Sequence, residues 1–352
     1  MMLDTPRIGS LPAGPKNTIC DVPGVSVGHC TLADGPVQTG VSVVRPHAGD
    51  VYRDKVPAGV AVINGFGKSA GLLQVEELGM LETPIALTNT FSVAPVMDAQ
   101  IRAAIAANPA IGRAWPTVSP LVFECNDGYL NDIQRPSVQA RHYDEALGAA
   151  SDQMAQGALG AGRGMSAFGL KGGIGTASRR PVDAAALDEG EGYVVGALVL
   201  ANFGRLPNLL VAGRPFGQRL AAQAEQALPT ELGSIILIIA TNAPLDARQL
   251  RRVARRAAAG LARTGSDYGH GSGDIALAFS TAYTVPHEAE RAMPGMALLH
   301  ETLLDPLFAA AAESCEQAIV NALWHAESVT GRDGHRRLSL RAAAPHWRQW
   351  LA

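Results

Sequence analysis

The sequence predicts an α+β fold of packed layers, and three observations carry that prediction. Strand-like and helix-like segments are mixed without the strict alternation that a doubly wound parallel sheet requires. No internal repeat is visible. The composition is globular but poor in charge: of 352 residues, 47% are hydrophobic and 17% charged, against about 25% charged in average soluble chains. A large buried core and surface hidden between subunits together account for that deficit. With 5% aromatic residues and 38 glycines, Ile, Val, Leu and Ala must fill the core, and backbones are expected to pack closely.

Taken in order, residues 1–20 are punctuated by Pro and Gly and start irregularly. DVPGVSVGHC (21–30) reads as short strand pieces around a Pro-Gly turn. TGVSVVRPH (39–47) is a strand, and GVAVINGFG (59–67) a buried strand ending in glycines. Leu72, Leu73, Val75 and Leu78 give 69–79 a helical pattern. PIALTNT (84–90) is another strand, and 95–106 a helix with Pro95 near its start. Leu121–Glu124 is a strand running into a polar turn, and ALGAASDQMAQG (146–157) reads as helical. The Gly-rich passage 157–180 carries Met165, Phe168, Leu170 and Ile174, so it is expected to pack against backbone rather than act as a linker. A strand over 193–204 follows. Residues 205–231 are turns and a short helix. Ser234 then opens a strand dense in β-branched residues. The helix 246–263 is amphipathic, with Leu250, Val253, Ala254, Ala257 and Leu261 on one face. A strand (274–285) and a helix (299–327) complete the pattern, and the tail after 328 is expected to be ordered at its Trp residues only.

Charge and special residues exclude several classes. The net charge of −3 carries no nucleic-acid footprint. Arg248, Arg251, Arg252, Arg255 and Arg256 recur at helical spacing and read as a solvated helix face. Cys20, Cys30, Cys125 and Cys315 are scattered, with neither a zinc spacing nor a disulfide framework, and read as reduced thiols of a cytoplasmic protein. No apolar run has the length of a signal peptide or a membrane span, and nine histidines form no HExxH-type pattern. No metal or cofactor is expected, and no membrane or nucleic-acid partner. Gly65-Phe-Gly67-Lys68-Ser69 superficially suggests a phosphate loop, but one residue separates its glycines where four are needed before the Gly-Lys pair. Tight strand-to-helix packing explains it better. His29 and His47 read as structural.

Three places hold groups suited to chemistry. Ser234 follows Gly233 and opens the most apolar strand, without a GxSxG elbow. In His270-Gly271-Ser272-Gly273-Asp274, a hydroxyl and a carboxylate two residues apart share a face if the chain is extended. Asn202, at a strand end before Phe203-Gly204, can present an amide to a cleft. Taken alone, a serine at the start of a buried strand is ordinary.

Ten segments together change that reading: DVPGVSVGH (21–29), TGVSVV (39–44), VINGFGKSAGL (62–72), LETPIALTNT (81–90), ECNDGYLND (124–132), GAGRGM (160–165), FGLKGGIGTASR (168–179), LANFG (200–204), GSIILIIATNAPL (233–245) and GHGSGDIALAFSTA (269–282). In this content and order the chain closely resembles the P1-family peptidases, the L-aminopeptidase/D-esterase-amidase group with the β-peptidyl aminopeptidases. The resemblance implies a four-layer αββα sandwich of the N-terminal-nucleophile type and a single domain, 1–352, that cleaves itself between Gly233 and Ser234. The products would be an α chain, 1–233, and a β chain, 234–352, assembled as a homo-tetramer. It implies Ser234 as nucleophile, Ser272 and Asp274 as the groups that orient it, Asn202 as oxyanion donor, and Glu124 as the acid that holds a substrate's free amine. Many members carry Glu where this chain has Asp274. Asn126 falls where characterised members place an aromatic residue that helps bind the acyl oxygen.

The implied chemistry suits these residues. A serine hydroxyl needs a base, and no histidine is well placed near Ser234. A freed α-amino group, with an ordinary pKa of about 7.7–8.0, supplies one on the same residue, and burial lowers it further. The expected function is hydrolysis of short peptides, amides or esters with a free amine and a small first residue. Acyl transfer or oligoamide hydrolysis on the same fold is the second reading, although those relatives typically use threonine. An uncleaved, non-enzymatic member is the third.

Overall fold

The computed structural model describes residues 5–181, 192–223 and 233–351. Its longer strands are β1 (Ser26–Asp34), β2 (Val37–Arg45), β3 (Asp54–Gly65), β4 (Ile85–Asn89), β5 (Leu121–Cys125), β6 (Gly173–Arg179), β7 (Val195–Asn202), β8 (Ser234–Thr241) and β9 (Gly273–Ser280). The main helices are α1 (Leu72–Leu78), α2 (Val93–Ala107), α3 (Ala140–Gly148), α4 (Phe216–Gln223), α5 (Ala247–Arg263) and α6 (Asp305–His325).

These strands form two sheets. One has the order β1-β2-β4-β5, with only its last pair parallel. The other runs β3-β9-β8-β7-β6, with β8 and β9 parallel and its other pairs antiparallel. Side chains of a strand alternate between faces, and β8 shows what each face meets. Ile236 and Ile238 enter a core between the sheets with Val44, Leu87, Phe123, Leu198 and Leu277. Ile235, Leu237 and Ile239 pack outward against Leu250 and Val253 of α5 and Ile319 and Leu323 of α6. Beyond the first sheet, Val41, Val43 and Val122 pack under Val96 of α2 and Tyr143 of α3. The result is the four-layer αββα sandwich. Each fully buried Ile or Leu of these cores contributes about 1.5–3 kcal/mol.

Helix α5 begins with a capping box: Asp246 Oδ1 accepts from Gln249 N at 2.7 Å and Gln249 Oε1 from Asp246 N at 3.1 Å. Its arginines lie on the outer face as expected, where Arg251 pairs with Glu76 at 2.6 Å and Arg248 and Arg252 share Glu301. The Gly-rich passage packs against backbone. A Cβ on Gly175 would stand 1.9 Å from the Ala318 carbonyl oxygen of α6, and one on Gly162 would stand 2.5 Å from Ile174 N.

The helix expected over 146–157 lies earlier, at Ala140–Gly148. His142, Tyr143 and Ala146 form its buried face, while Ser151 and Gly157 make bridges to Val27 and Ile174 that a helix would forbid. The tail also differs from expectation. Arg336–Arg337 pairs with Val329–Thr330, short helices cover Leu340–Ala343 and Trp347–Leu351, and Arg337 and Leu340 are buried. Of the turn-rich stretch 205–231, α4 is its short helix, and 224–231 lies outside the described residues. No helix among the described residues is long and apolar enough to cross a membrane.

Candidate active site

Register brings the chemistry to one end of the sheet, at the ends of its central strands. Asn202, the last residue of β7, stands opposite Ser234, the first of β8. The parallel neighbour β9 starts at the same end, with Asp274 beside Ile235, and Asp274 in turn faces Asn64 of β3. The end of β5, from the other sheet, comes up beneath: Cys125 Sγ donates to the Ser234 carbonyl at 3.3 Å and lies 3.6 Å from that of Leu200. Burial pushes the Cys125 thiol well up, so it stays a protonated donor.

Ser234 is 7% exposed. Its Oγ accepts from the Gly273 N–H at 3.0 Å, which leaves its own proton free to depart. Ser272 Oγ donates to Asp274 Oδ1 at 2.5 Å, so the two-residue spacing does place both on one side. Burial pushes the Asp274 carboxyl up to about 6, against hydrogen bonds from Ser272 and the Ile235 backbone that favour its ionised form. Its Oδ2 is buried and has no hydrogen-bond partner among the described residues. The 269–273 turn is held by Asn64, whose Nδ2 donates to the Ser272 carbonyl and lies 3.2 and 3.3 Å from those of Gly269 and His270. Gly273 itself must be small: a Cβ would meet the Gly67 backbone at 2.8 Å. That contact packs the Gly65–Ser69 turn against the start of a strand, where strand-to-helix packing was expected.

The Asn202 amide is held at both ends. Oδ1 accepts from Ser166 N at 2.8 Å, and Nδ2 donates to the Asn126 carbonyl at 2.9 Å. One Nδ2 hydrogen is thereby used and the other is left for a ligand. Glu124 is buried. Its Oε1 accepts from Lys68 N at 2.7 Å and its Oε2 from Thr90 Oγ1, so lone pairs remain for a cation. The Asn126 side chain turns away and caps its own loop, Oδ1 accepting from Gly128 N at 2.9 Å. Asn126 therefore enters the site by its backbone carbonyl rather than its side chain. Beside Gly233 opens a cavity of 270 Å³, lined among others by Phe66, Phe203, Arg205, His270 and Ser272. Such a space suits small ligands. A larger groove of 460 Å³ between β3, α1 and α5 lies elsewhere, under Val60, Val62 and Leu73.

Asn64, Thr90, Cys125 and Ser166 escaped sequence reasoning as site residues. Their contacts span tens to hundreds of residues, and only the asparagine ahead of a glycine in VINGFG carried any local signal. His29 and His47 are structural as read: His29 Nδ1 meets Ser42 Oγ at 2.8 Å, and His47 Nε2 the Asp54 carbonyl at 2.8 Å. Among the described residues no group of three His, Cys, Asp or Glu is placed to hold a metal.

A nucleophilic hydroxyl, a carboxylate-bound serine and an aimed amide fit acyl transfer through a tetrahedral oxyanion. Known proteins agree with that chemistry. The chain is 39% identical over 345 residues to the β-peptidyl aminopeptidase BapA of Sphingosinicella microcystinivorans, covering 92% of this chain and 85% of that one. A Burkholderia sp. β-aminopeptidase superposes with a TM-score of 0.88 at 41% identity, covering 98% of this chain and 97% of the other. The L-aminopeptidase D-Ala-esterase/amidase of Ochrobactrum anthropi, described as a variant of the Ntn hydrolase fold, gives 0.86 at 33%, covering 98% of each. The profile of peptidase family S58 matches residues 17–337, and the chain belongs to that family.

Proposed function

We propose that this chain cuts its own Gly233–Ser234 bond and then works as a serine aminopeptidase or amidase of the N-terminal-nucleophile type. The observation that carries the reading is the alignment of Ser234, Asn202 and the Ser272–Asp274 pair at one end of the sheet. In self-cleavage, Ser234 Oγ attacks the Gly233 carbonyl carbon. The C–N bond breaks and the proton passes to the departing Ser234 nitrogen. Water then hydrolyses the ester, which frees a Gly233 carboxylate and the Ser234 amine. In turnover that amine takes the Oγ proton as the hydroxyl attacks a substrate carbonyl, Asn202 donates to the oxyanion, the amine returns the proton to the leaving group, and water then hydrolyses the acyl-serine ester to release the acid and restore the hydroxyl. Glu124 holds the substrate's ammonium. The working form is a tetramer of cleaved αβ units in the cytoplasm. Four buried, unpaired cysteines favour that compartment, and exposed Leu73 and Val62 beside the larger groove suit subunit contact.

The titration of Asp274 gives a test of self-cleavage in isolation, because the uncut chain has no free amine at Ser234. A folded value above the ordinary one means that folding favours the protonated carboxyl. That stabilisation is complete below the ordinary value and is lost as pH rises through about 6. Activity should run the opposite way, since the ionised carboxylate binds the Ser272 hydroxyl proton more strongly than the neutral acid does and so makes Ser272 Oγ the better acceptor for the Ser234 proton in transit. Self-cleavage of freshly refolded precursor, followed by gel, should slow roughly tenfold per pH unit below about 6. Asp274→Asn should flatten that limb, and an unchanged limb removes Asp274 from the role.

Substrate choice is tested with L-Ala, D-Ala and β-Ala p-nitroanilides and their N-acetylated forms. Free amines should be hydrolysed and acetylated ones spared. Glu124→Gln should raise KM for the free amines by about 10–100-fold, as expected when a buried charge partner is lost, with a smaller change in kcat. Equal use of acetylated substrates would remove Glu124 from amine recognition.

A further inference from the structure

Lys171 is fully buried, and its ammonium is spent on backbone. Nζ donates to the carbonyl oxygens of Gly162 at 2.9 Å, Met165 at 2.7 Å and Gly172 at 2.8 Å, which uses the three hydrogens a lysine carries. Those carbonyls flank a small hairpin in which Ser166–Ala167 pairs with Leu170–Lys171. Phe168 and Gly169 turn it with φ of 53° and 70°, the left-handed pair that two-residue hairpins favour. Gly172 N closes onto the Met165 carbonyl at 2.9 Å. The hairpin reaches the candidate site through Ser166, whose N–H holds Asn202 Oδ1 at 2.8 Å.

An amide side chain has nearly the same shape when flipped but opposite chemistry at its two ends. Ser166 N–H at one end and the Asn126 carbonyl at the other fix the orientation that offers N–H to a reacting carbonyl. Flipped, the amide oxygen would face the Asn126 carbonyl and repel a developing oxyanion. The direction of the Asn202 dipole therefore depends on where Ser166 sits, and Ser166 sits on a hairpin gathered around one ammonium.

We propose that Lys171 is a positioning residue for Asn202: its ammonium draws three carbonyls together and so sets the hairpin whose Ser166 N–H aims the Asn202 donor at the substrate. The inference rests on the reading of Asn202 as oxyanion donor. A hydrophobic side chain of similar length would fill the space but remove that donor from three buried carbonyls, of which Met165 keeps the Gly172 N–H at 2.9 Å and Gly162 the longer Met165 N–H at 3.3 Å, and the hairpin would shift to recover the lost bonds.

A double-mutant cycle on the purified, processed enzyme separates positioning from general support. Lys171→Met should lower kcat on an amide substrate by about 10–100-fold, a partial loss of one oxyanion donor, with KM within about twofold. Lys171→Gln, which keeps an N–H donor, should lose less. In an Asn202→Ala background, Lys171→Met should change kcat by under about twofold, because the group it aims is already gone. The same drop in both backgrounds, or an unchanged kcat in Lys171→Met alone, overturns the inference. Undiminished kcat in Asn202→Ala overturns the oxyanion reading and this inference with it. If Lys171→Met does not fold, the cycle is run with Lys171→Gln under the same criteria.

Discussion

Ser234→Ala should yield one intact chain and no measurable hydrolysis, whereas the wild-type protein should resolve into residues 1–233 and 234–352. Both effects follow from one lost atom. In the proposed self-cleavage Oγ is the group that attacks Gly233, and the Gly273 N–H at 3.0 Å holds it as an acceptor with its proton free. Without Oγ no ester forms, so no α-amine is released and the base for later turnover is missing as well. The loss in kcat should exceed about 10⁴-fold, by analogy with removal of other serine nucleophiles. Intact-mass spectrometry reads the first effect and p-nitroanilide hydrolysis the second. Ser234→Cys keeps a nucleophile and should still cut, more slowly. Scission at 233/234 persisting in Ser234→Ala would end the self-processing proposal. An intact mutant beside an equally intact, active wild type would place the activity in the uncut chain.

How much of this was readable from sequence depends on how local each feature is. The β8 strand was legible because SIILIIAT is dense in β-branched residues, and α5 because its apolar residues recur at helical spacing. Which layer each face of β8 meets was not. Ile235 and Ile236 are both fully buried, in different cores, so composition alone is blind to a strand covered on both sides. The αββα order came through resemblance across ten segments instead. The α3 helix was placed too late because Leu147 and Met154 mimic a helical spacing, whereas the buried face is formed by Tyr143 and Ala146.

The site divides in the same way. Ser272 and Asp274 were legible as a pair since two residues of extended chain suffice to bring them together. Asn64 was not, because it acts on carbonyls more than two hundred positions away. The contact that Asn126 makes was not legible either. Its side chain caps its own turn, and its carbonyl is what meets Asn202. No rule of residue type reveals a contact made by backbone.

Asn202→Ala should lower kcat by about 10²–10³-fold while KM moves by a few-fold at most, the signature of a donor that tightens on the oxyanion rather than on the substrate. The amide is held at both ends, one hydrogen engaged by Asn126 and its oxygen by Ser166, so little reorganisation is needed when charge develops. Self-cleavage passes through an oxyanion on Gly233, which packs against the Asn202 backbone so closely that a Cβ there would meet the Asn202 carbonyl at 2.0 Å. The variant should therefore slow both reactions. Rates of precursor disappearance and of p-nitroanilide release, measured on the same preparation, decide between two arrangements. A matched loss means one donor serves both tetrahedral intermediates. Normal processing with slow turnover would mean that a different group receives the Gly233 oxygen, with the Gly273 N–H, already at the Ser234 side chain, the first to test. Unchanged kcat would remove Asn202 from catalysis altogether.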